Sequence, residues 1–470
     1  AAARAQASAA ASAAAVPALD DFDYVQPPEL PPCDYTPPPY TGPSKEEVWQ
    51  ARKMHMSPAL NHFYKQPVMI TDGHMQYLYD EKGRRYLDAF GGIVTVSVGH
   101  SHPSILRAAY NQMSRLQHTT NIYLGEQTAM YAKELAARMP GNLKVVYFVN
   151  SGSEANDMAM TMARLYTGNQ ALFSLRNSYH GASPATNSLT AMHTWKYNMP
   201  GGSIAGNGVH QTMNPDPYRG AFGNDASAYV REFRESIQAS TCGQIAGFFA
   251  ESVQGYGGTV DFADGFLPEA HALAREHGGV CIADEVQTGF GRMGSHFWGF
   301  ERAGVMPDIV TMAKGIGNGF PLAAVVTTPE IAQTLTRAQH FNTYGGNPVV
   351  SAVGRAVLRT IDEDGLQENA AIVGAYLKRR LTELQDKHDV IGIVRGDGLM
   401  LGMELVKDRA TKEHAPAETA QVFERMKELG VLIGKGGMNG SVFRIKPPMC
   451  MTMADADFLA DAMDQAMGEL

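Results

Sequence analysis

Cysteine is scarce. There are four in 470 residues, Cys33, Cys242, Cys281 and Cys450, and no two are spaced as C-x-x-C. So few argue against a disulfide framework and for a reducing compartment. Long hydrophobic runs are also missing: no stretch reaches the ~18 apolar residues of a membrane span. Positive charge is in deficit, with 39 basic against 48 acidic residues and a formal net charge of −9. Binding a nucleic-acid backbone needs clustered Lys and Arg, so nucleic acid is excluded as the main partner. A small anion at a local site stays open. What remains is ordinary globular material: 44% hydrophobic and 19% charged, long enough for two or more domains with a large core. No internal repeat is found.

The chain begins "AAARAQASAAASAAAVPAL", with one arginine and no acid in residues 1–19. That composition reads as the remnant of an organelle transit segment. Residues 20–49 form a proline-rich arm; "VQPPELPPCDYTPPPYTGP" prefers an extended polyproline path. An arm lying across another surface, such as a partner subunit, and a plain linker are both open. Residues 50–102 read as short strands around turns at Asp72-Gly73 and Lys82-Gly83, the N-terminal part of a smaller domain. Residues 103–346 alternate. Helices are expected at 103–117, 125–139 and 264–277, among apolar runs at 145–150, 171–175, 245–251, 279–285, 308–314 and 322–327. Short buried strands separated by helices imply a mostly parallel α/β sheet. Residues 347–470 then change to an α+β pattern, with helices at 347–364 and 417–429 around alternating strands, completing the smaller domain. The segment 192–225 reads as a long irregular loop.

Four motifs carry chemistry. In "YFVNSGSEAND", 147–157, a strand runs into Ser151-Gly152-Ser153 and then into a helix beginning at Glu154 or Ala155. Free N–H groups and the helix dipole suit an anion such as phosphate there, though the motif alone equally describes a bare helix cap. In "SYHGAS", 178–183, Tyr179 could cover a planar ring, beside His180. In "CIADEVQTGFGR", 281–292, Asp284 and Glu285 end an apolar strand at the edge where parallel sheets bind ligands. In "DIVTMAKGIGNGF", 308–320, Lys314 ends the next run, followed by glycines at 315, 317 and 319. Together these meet the needs of one cofactor, pyridoxal phosphate: a lysine for the aldehyde, an anion site for the phosphate and a carboxylate for the ring nitrogen.

The motifs "SGSEANDMAMTMAR", "YHG", "ADEVQTGFGR" and "MAKGIGNGFPLAAV" resemble those of the fold-type I, class III aminotransferases. The resemblance covers roughly residues 50–468, and "HFNTYGGNP" with "PDIVTMAKGIGNGFPLAAVVTTPEI" is similar to the mitochondrial alanine–glyoxylate aminotransferase 2 group of plants and algae. It implies an α/β fold with a large cofactor domain and a smaller α+β domain. It implies that Lys314 joins the cofactor and then carries a proton, with Asp284 on the ring nitrogen. The cofactor site it implies comprises Ser151, Gly152, Ser153, Tyr179, His180, Glu251, Asp284, Val286, Gln287, Lys314 and Thr343. Ser153 and Gly152 would hold the phosphate, Tyr179 and Val286 would cover the ring faces, and Gln287 would lie near the phenolic oxygen. Thr343 would reach the neighbouring subunit's phosphate, which implies a homodimer, or a tetramer, with shared sites. Arg444, in "SVFRIKPP", would take the substrate carboxylate; from its residues alone it reads as a surface strand arginine.

Three positions depart from related patterns. Glu251 is followed by Ser252 rather than proline. Tyr256 stands where ω-amino-acid and ornithine aminotransferases often carry a gating glutamate, and Ile93 where ornithine aminotransferases have tyrosine. A long diamine would lose its polar anchors, so a small α-amino acid fits better. The expectation is a two-half transamination from alanine to glyoxylate, on small amino- and 2-oxo-acid substrates, in the mitochondrial matrix ahead of plastid or peroxisome. No metal, nucleic acid or membrane partner is expected. The alternatives are a β-alanine or GABA aminotransferase, a lyase or aminomutase of the same class, and a non-catalytic protein of this fold.

Overall fold

The computed structural model describes residues 27–197 and 208–470. The transit-like segment, the first residues of the arm and part of 192–225 lie outside the described residues. Strands β1 (Ile70–His74), β2 (Tyr77–Asp80) and β3 (Arg85–Asp88) form an antiparallel meander. The Lys82-Gly83 turn is present, with the Gly83 N–H donating to the Asp80 carbonyl at 2.9 Å. The Asp72-Gly73 turn is not: both residues lie inside β1, and the chain reverses at Met75 and Gln76. Asp72 and Gly73 pair with Tyr79 and Leu78, the register shifts between Ile70 and Asp72, and Met75 takes the positive φ of 52° at the reversal.

The proline-rich arm lies along these same strands. The Tyr35 ring stacks on His74 at 4.3 Å, and its hydroxyl donates to Asp72 at 2.8 Å. Arg85 donates to the Pro31 carbonyl at 2.6 Å. The surface the described arm crosses is therefore the chain's own. The helix that follows, Lys45–His55, starts on a Ser44–Glu47 capping box but buries none of its residues.

The central sheet holds seven strands among the described residues: β4 (Val145–Val149), β5 (Leu172–Leu175), β6 (Val209–Thr212), β7 (Gly247–Glu251), β8 (Val280–Asp284), β9 (Ile309–Met312) and β10 (Ala323–Thr327). Their order is β4-β10-β9-β8-β7-β5-β6, and only β10 runs against its neighbours. The expected α/β class with a mostly parallel sheet is borne out. Each strand except β6 lies within an apolar run. The β6 sequence, Val-His-Gln-Thr, has a single apolar residue and is only partly buried, so the expected irregular loop in fact contains a strand.

Alternation along the strands fills both faces. Phe249 and Ile282 pack with Met158, Ala159 and Met162 of helix Gly152–Thr167. Phe248 and Cys281 point the other way, toward helices Ala226–Ser240 and Phe266–Glu276. Each buried Phe contributes about 1.5–3 kcal/mol over an exposed one. The last strands are β11 (Ile391–Asp397), β12 (Met400–Asp408), β13 (Glu413–His414), β14 (Val431–Leu432), β15 (Gly434–Gly436) and β16 (Val442–Ile445). They form the sheet β11-β12-β16-β15, while β14 crosses over to pair parallel with β3. Helices Pro348–Glu363 and Pro416–Leu429 each open on proline, which loses nothing in the first turn.

The topology sets the site. Strands β4, β5, β7, β8 and β9 all end at one edge of the sheet. Ser151, Tyr179, Glu251, Asp284 and Lys314 sit at or just after those ends. Ligands of open α/β sheets bind outside such an edge.

Candidate active site

A cavity of about 150 Å³ opens at this edge. Ser151, Gly152, Ser153, Asn156, Tyr179, His180, Gly181, Glu251, Asp284, Val286, Gln287, Ala313 and Lys314 line it. Ten of the residues singled out from the sequence are among them. Thr343 is exposed and outside the lining, and so is Ile93, at 46% exposure.

One wall is a carboxylate held by donors. Parallel register sets Glu251 beside Asp284 and Asp284 beside Thr311. Asp284 Oδ2 accepts from His180 Nδ1 at 2.8 Å and from Asn156 Nδ2 at 2.9 Å, and Oδ1 accepts from the Val286 N–H at 3.1 Å. The Asn156 oxygen in turn accepts from Thr311 Oγ1 at 2.7 Å. Every partner of Asp284 is a donor, the condition for a buried carboxylate to stay an acceptor. Glu251 accepts from the Tyr179 and Gly255 N–H groups, at 3.1 and 2.8 Å. Burial pushes its carboxyl upward, against the pull of His180.

A second wall is the start of helix Gly152–Thr167, two or three residues earlier than the Glu154 or Ala155 start expected from sequence. The reason is the cap: Ser151 takes extended dihedrals and its hydroxyl accepts the Glu154 N–H at 3.2 Å. The N–H groups of Gly152 and Ser153, with no partner inside the helix, fall beside the cavity. Gly152 is needed for closeness, since a Cβ there would stand 3.3 Å from Val286 Cγ2.

Between the walls is Lys314. It opens a 3₁₀ turn, Lys314–Gly317, with a φ of 54° that is rare for a side-chain-bearing residue. Burial brings its amine down to about 8, with Asp284 pulling up and Arg444 pushing down. Arg444 lies on β16 and is 2% exposed, so the surface reading of its sequence is corrected. Its guanidinium lies over the rings of Phe90 and Tyr256, at 4.9 and 5.0 Å, and its Nε and Nη1 are buried without a hydrogen-bond partner. Burial lowers it only to about 10, so it stays charged at neutral pH. Tyr256 also meets Trp195 at 5.5 Å and Tyr179 at 5.9 Å.

Several site residues were not singled out from sequence. Asn156 is a polar residue on the apolar face that carries Ala155 and Ala159, which is a readable signal. Lys446 follows Arg444 by two residues, so strand periodicity puts both on one face. Phe90 and Trp195 gave no signal. Ile93 sits in a turn where Ile93 and Val94 both have positive φ, 65° and 66°. Left-handed dihedrals cost roughly 1–2 kcal/mol per residue. Asp88 holds the turn by accepting the Phe90 and Gly91 N–H groups, at 3.0 and 2.8 Å.

An amine ready to lose its proton, facing an anchored carboxylate across a sheet edge, places this protein among the fold-type I transferases. The chain belongs to the class-III aminotransferases: the family "Aminotransferase class-III" matches residues 60–467. It is 54% identical over 459 residues to "Alanine--glyoxylate aminotransferase 2 homolog 2, mitochondrial" of Arabidopsis thaliana, covering 98% of this chain and 95% of that one. It is similar to a phospholyase from Arthrobacter in complex with phosphoethanolamine, at TM-score 0.83 and 32% identity over 90% of this chain and 100% of that one. It is also similar to an amine transaminase of an uncultivated Pseudomonas species in a PLP-bound form, at TM-score 0.80 and 31% identity over 88% and 98%.

Proposed function

We propose that this aminotransferase carries pyridoxal phosphate and moves an amino group from alanine to glyoxylate. Three features support the cofactor. Asp284, which only accepts hydrogen bonds, suits a protonated ring nitrogen. Gly152 and Ser153, at the helix N-terminus, suit the phosphate. Val286 and Tyr179, which line the cavity, would cover the faces of a flat ring. When bound, the cofactor supplies an aldehyde for the amino group and a ring that accepts the electrons freed at the substrate Cα.

The chain's own residues do the rest. Asp284 holds a positive charge at the ring nitrogen, and His180 and Asn156 hold Asp284. Lys314, once its amine is free, would take the proton from the substrate Cα and deliver it to the cofactor carbon that bore the aldehyde. Tyr256 and Phe90 flank the Arg444 guanidinium, and Trp195 packs on Tyr256.

The observation that carries the substrate class is Arg444. Two buried donor groups without partners, close enough for their charge to be felt at Lys314, form a ready site for an α-carboxylate. Both alanine and glyoxylate carry one, so one arginine serves both half-reactions. The Arabidopsis relative's name supports this pair in particular. The test is single-turnover absorption with alanine and no acceptor. Alanine is expected to convert the cofactor to its amine form with one pyruvate per site, and glyoxylate to restore it. Arg444→Met is expected to lower kcat/KM for alanine about a hundredfold, chiefly through KM. Conversion by β-alanine but not alanine would transfer the reading to an ω-amino acid. Product formed without any amine-form cofactor would favour a lyase, the reaction named for the Arthrobacter relative.

We infer a homodimer as well. Leu106, Tyr110 and Met113 lie on one face of helix Pro103–Met113 and are exposed, as are Ile122, Tyr123, Leu124, Phe341 and Tyr344. Thr343 is exposed between Phe341 and Tyr344, which supports a role toward a second copy's phosphate site. Sedimentation is expected to give the mass of two chains or four; a monomer at micromolar concentration rejects it. The relative's name also supports a mitochondrial location, which organelle fractionation checks.

A further inference from the structure

Lys446 is fully buried, at 0% exposure, and none of the roles above uses it. It follows β16 immediately, and its N–H donates to the Ala89 carbonyl at 2.8 Å, so its backbone is fixed. Its Nζ donates to the Gly255 carbonyl at 3.2 Å and to Gln287 Oε1 at 3.1 Å. Two acceptors match the two N–H bonds of an uncharged amine and strand no third hydrogen. Burial, and then the Arg444 charge, favour that form by pulling the amine well below the ordinary lysine range.

Gln287 is trapped between these partners. It is 7% exposed and lines the same cavity as Lys314. Gly255 leaves room for the amide in this position: a Cβ there would stand 2.3 Å from Gln287 Oε1 and 2.5 Å from Nε2 and would displace it. With the oxygen committed to Lys446, the amide nitrogen is left for the cavity. A carboxamide that could flip would offer either a donor or an acceptor there. The one held here offers only a donor.

We propose that Lys446 is a positioning residue: it holds Gln287 by its oxygen, so that the amide N–H groups face the cavity as donors to an oxyanion on the bound ring. This rests on the pyridoxal phosphate reading, since that ring bears a phenolic oxygen beside its aldehyde. A lysine that merely filled space would affect stability. A lysine that sets the direction of an amide affects the electronic state of the ring.

The test uses the full chain loaded with pyridoxal phosphate, and reads the cofactor dissociation constant and the pH midpoint of its visible absorption. Lys446→Met keeps the volume and removes both donors. It is expected to weaken cofactor binding about tenfold and to move the midpoint by about half a pH unit or more. Gln287→Ala is expected to shift the midpoint likewise, and the double variant to go no further than Gln287→Ala alone, because one residue acts through the other. Folded Lys446→Met with wild-type affinity and midpoint overturns the proposal, and so does a double variant whose shift is the sum of the two. If Lys446→Met fails to fold, Gln287→Glu decides. Its carboxylate pairs with Lys446 and keeps the fold, yet sets an acceptor against the phenolic oxygen, so affinity is expected to fall by more than about tenfold. Wild-type affinity in Gln287→Glu overturns the proposal. A wild-type chain that takes up no cofactor overturns the cofactor reading instead.

Discussion

Lys314→Ala is expected to lower turnover about ten-thousand-fold, the upper range for losing a positioned acid–base group. The fold is expected to survive, because Lys314 supports its turn through the backbone and contributes no side-chain hydrogen bond to a neighbour among the described residues. Thermal unfolding of the variant checks that. The size of the loss follows from the environment. Burial brings the amine from the ordinary 10.5 to about 8, against the pull of Asp284. The uncharged form that attacks an aldehyde or takes a proton is therefore a minority below pH 8 and the majority above it. In the cofactor-free chain, the rate at which Lys314 reacts with a small aldehyde is expected to rise about tenfold per pH unit up to about 8 and then level off. A midpoint near the ordinary lysine value contradicts the burial argument. Methylamine added to Lys314→Ala is expected to recover part of the activity, since a free amine can enter where the side chain was removed. Turnover within tenfold of wild type would sink the role assigned to Lys314.

The main sheet was legible for a specific reason. Parallel strands buried on both faces are continuous apolar runs, and β7, β8 and β9 are buried at every position. Residues with chemistry stand out where such runs stop, as at Glu251, Asp284 and Lys314. Less was legible where a feature depends on contacts far apart in the chain. The β6 strand carries no apolar run and exists because β5 offers it an edge. The turn at Met75 and Gln76 rests on a positive φ at Met75, a residue whose type does not announce a turn. The Lys446–Gln287 contact spans 159 positions and Asn156–Asp284 spans 128, so neither lies within one motif. Arg444 shows the limit most directly. Its residue type reads as a surface arginine, and only the packing of Phe90 and Tyr256 over its guanidinium, from distant parts of the chain, shows it buried.

Asp284→Asn is expected to reduce turnover about a thousandfold, in line with removing one preorganised electrostatic contact at a buried position. The substitution nearly preserves shape but not hydrogen bonding. His180 and Asn156 donate to one oxygen of Asp284 and the Val286 N–H donates to the other. An asparagine must turn its NH₂ toward one set or the other, so a donor meets a donor in either orientation. His180 can answer by giving up its Nδ1 proton, which keeps the fold but leaves no negative charge at this wall. The charge is the functional part. Asp284 raises the proton affinity of Lys314, so its removal is expected to lower the Lys314 midpoint below about 8. The two readouts separate the causes. A loss of turnover with an unmoved Lys314 midpoint would mean that Asp284 acts through packing alone. A lowered midpoint with a thousandfold loss would mean that its charge reaches both the amine and the ring. Asp284→Glu retains the charge on a longer arm. It is expected to keep the Lys314 midpoint near 8 while still losing turnover, because the carboxylate no longer stands where His180 and Asn156 aim their hydrogens.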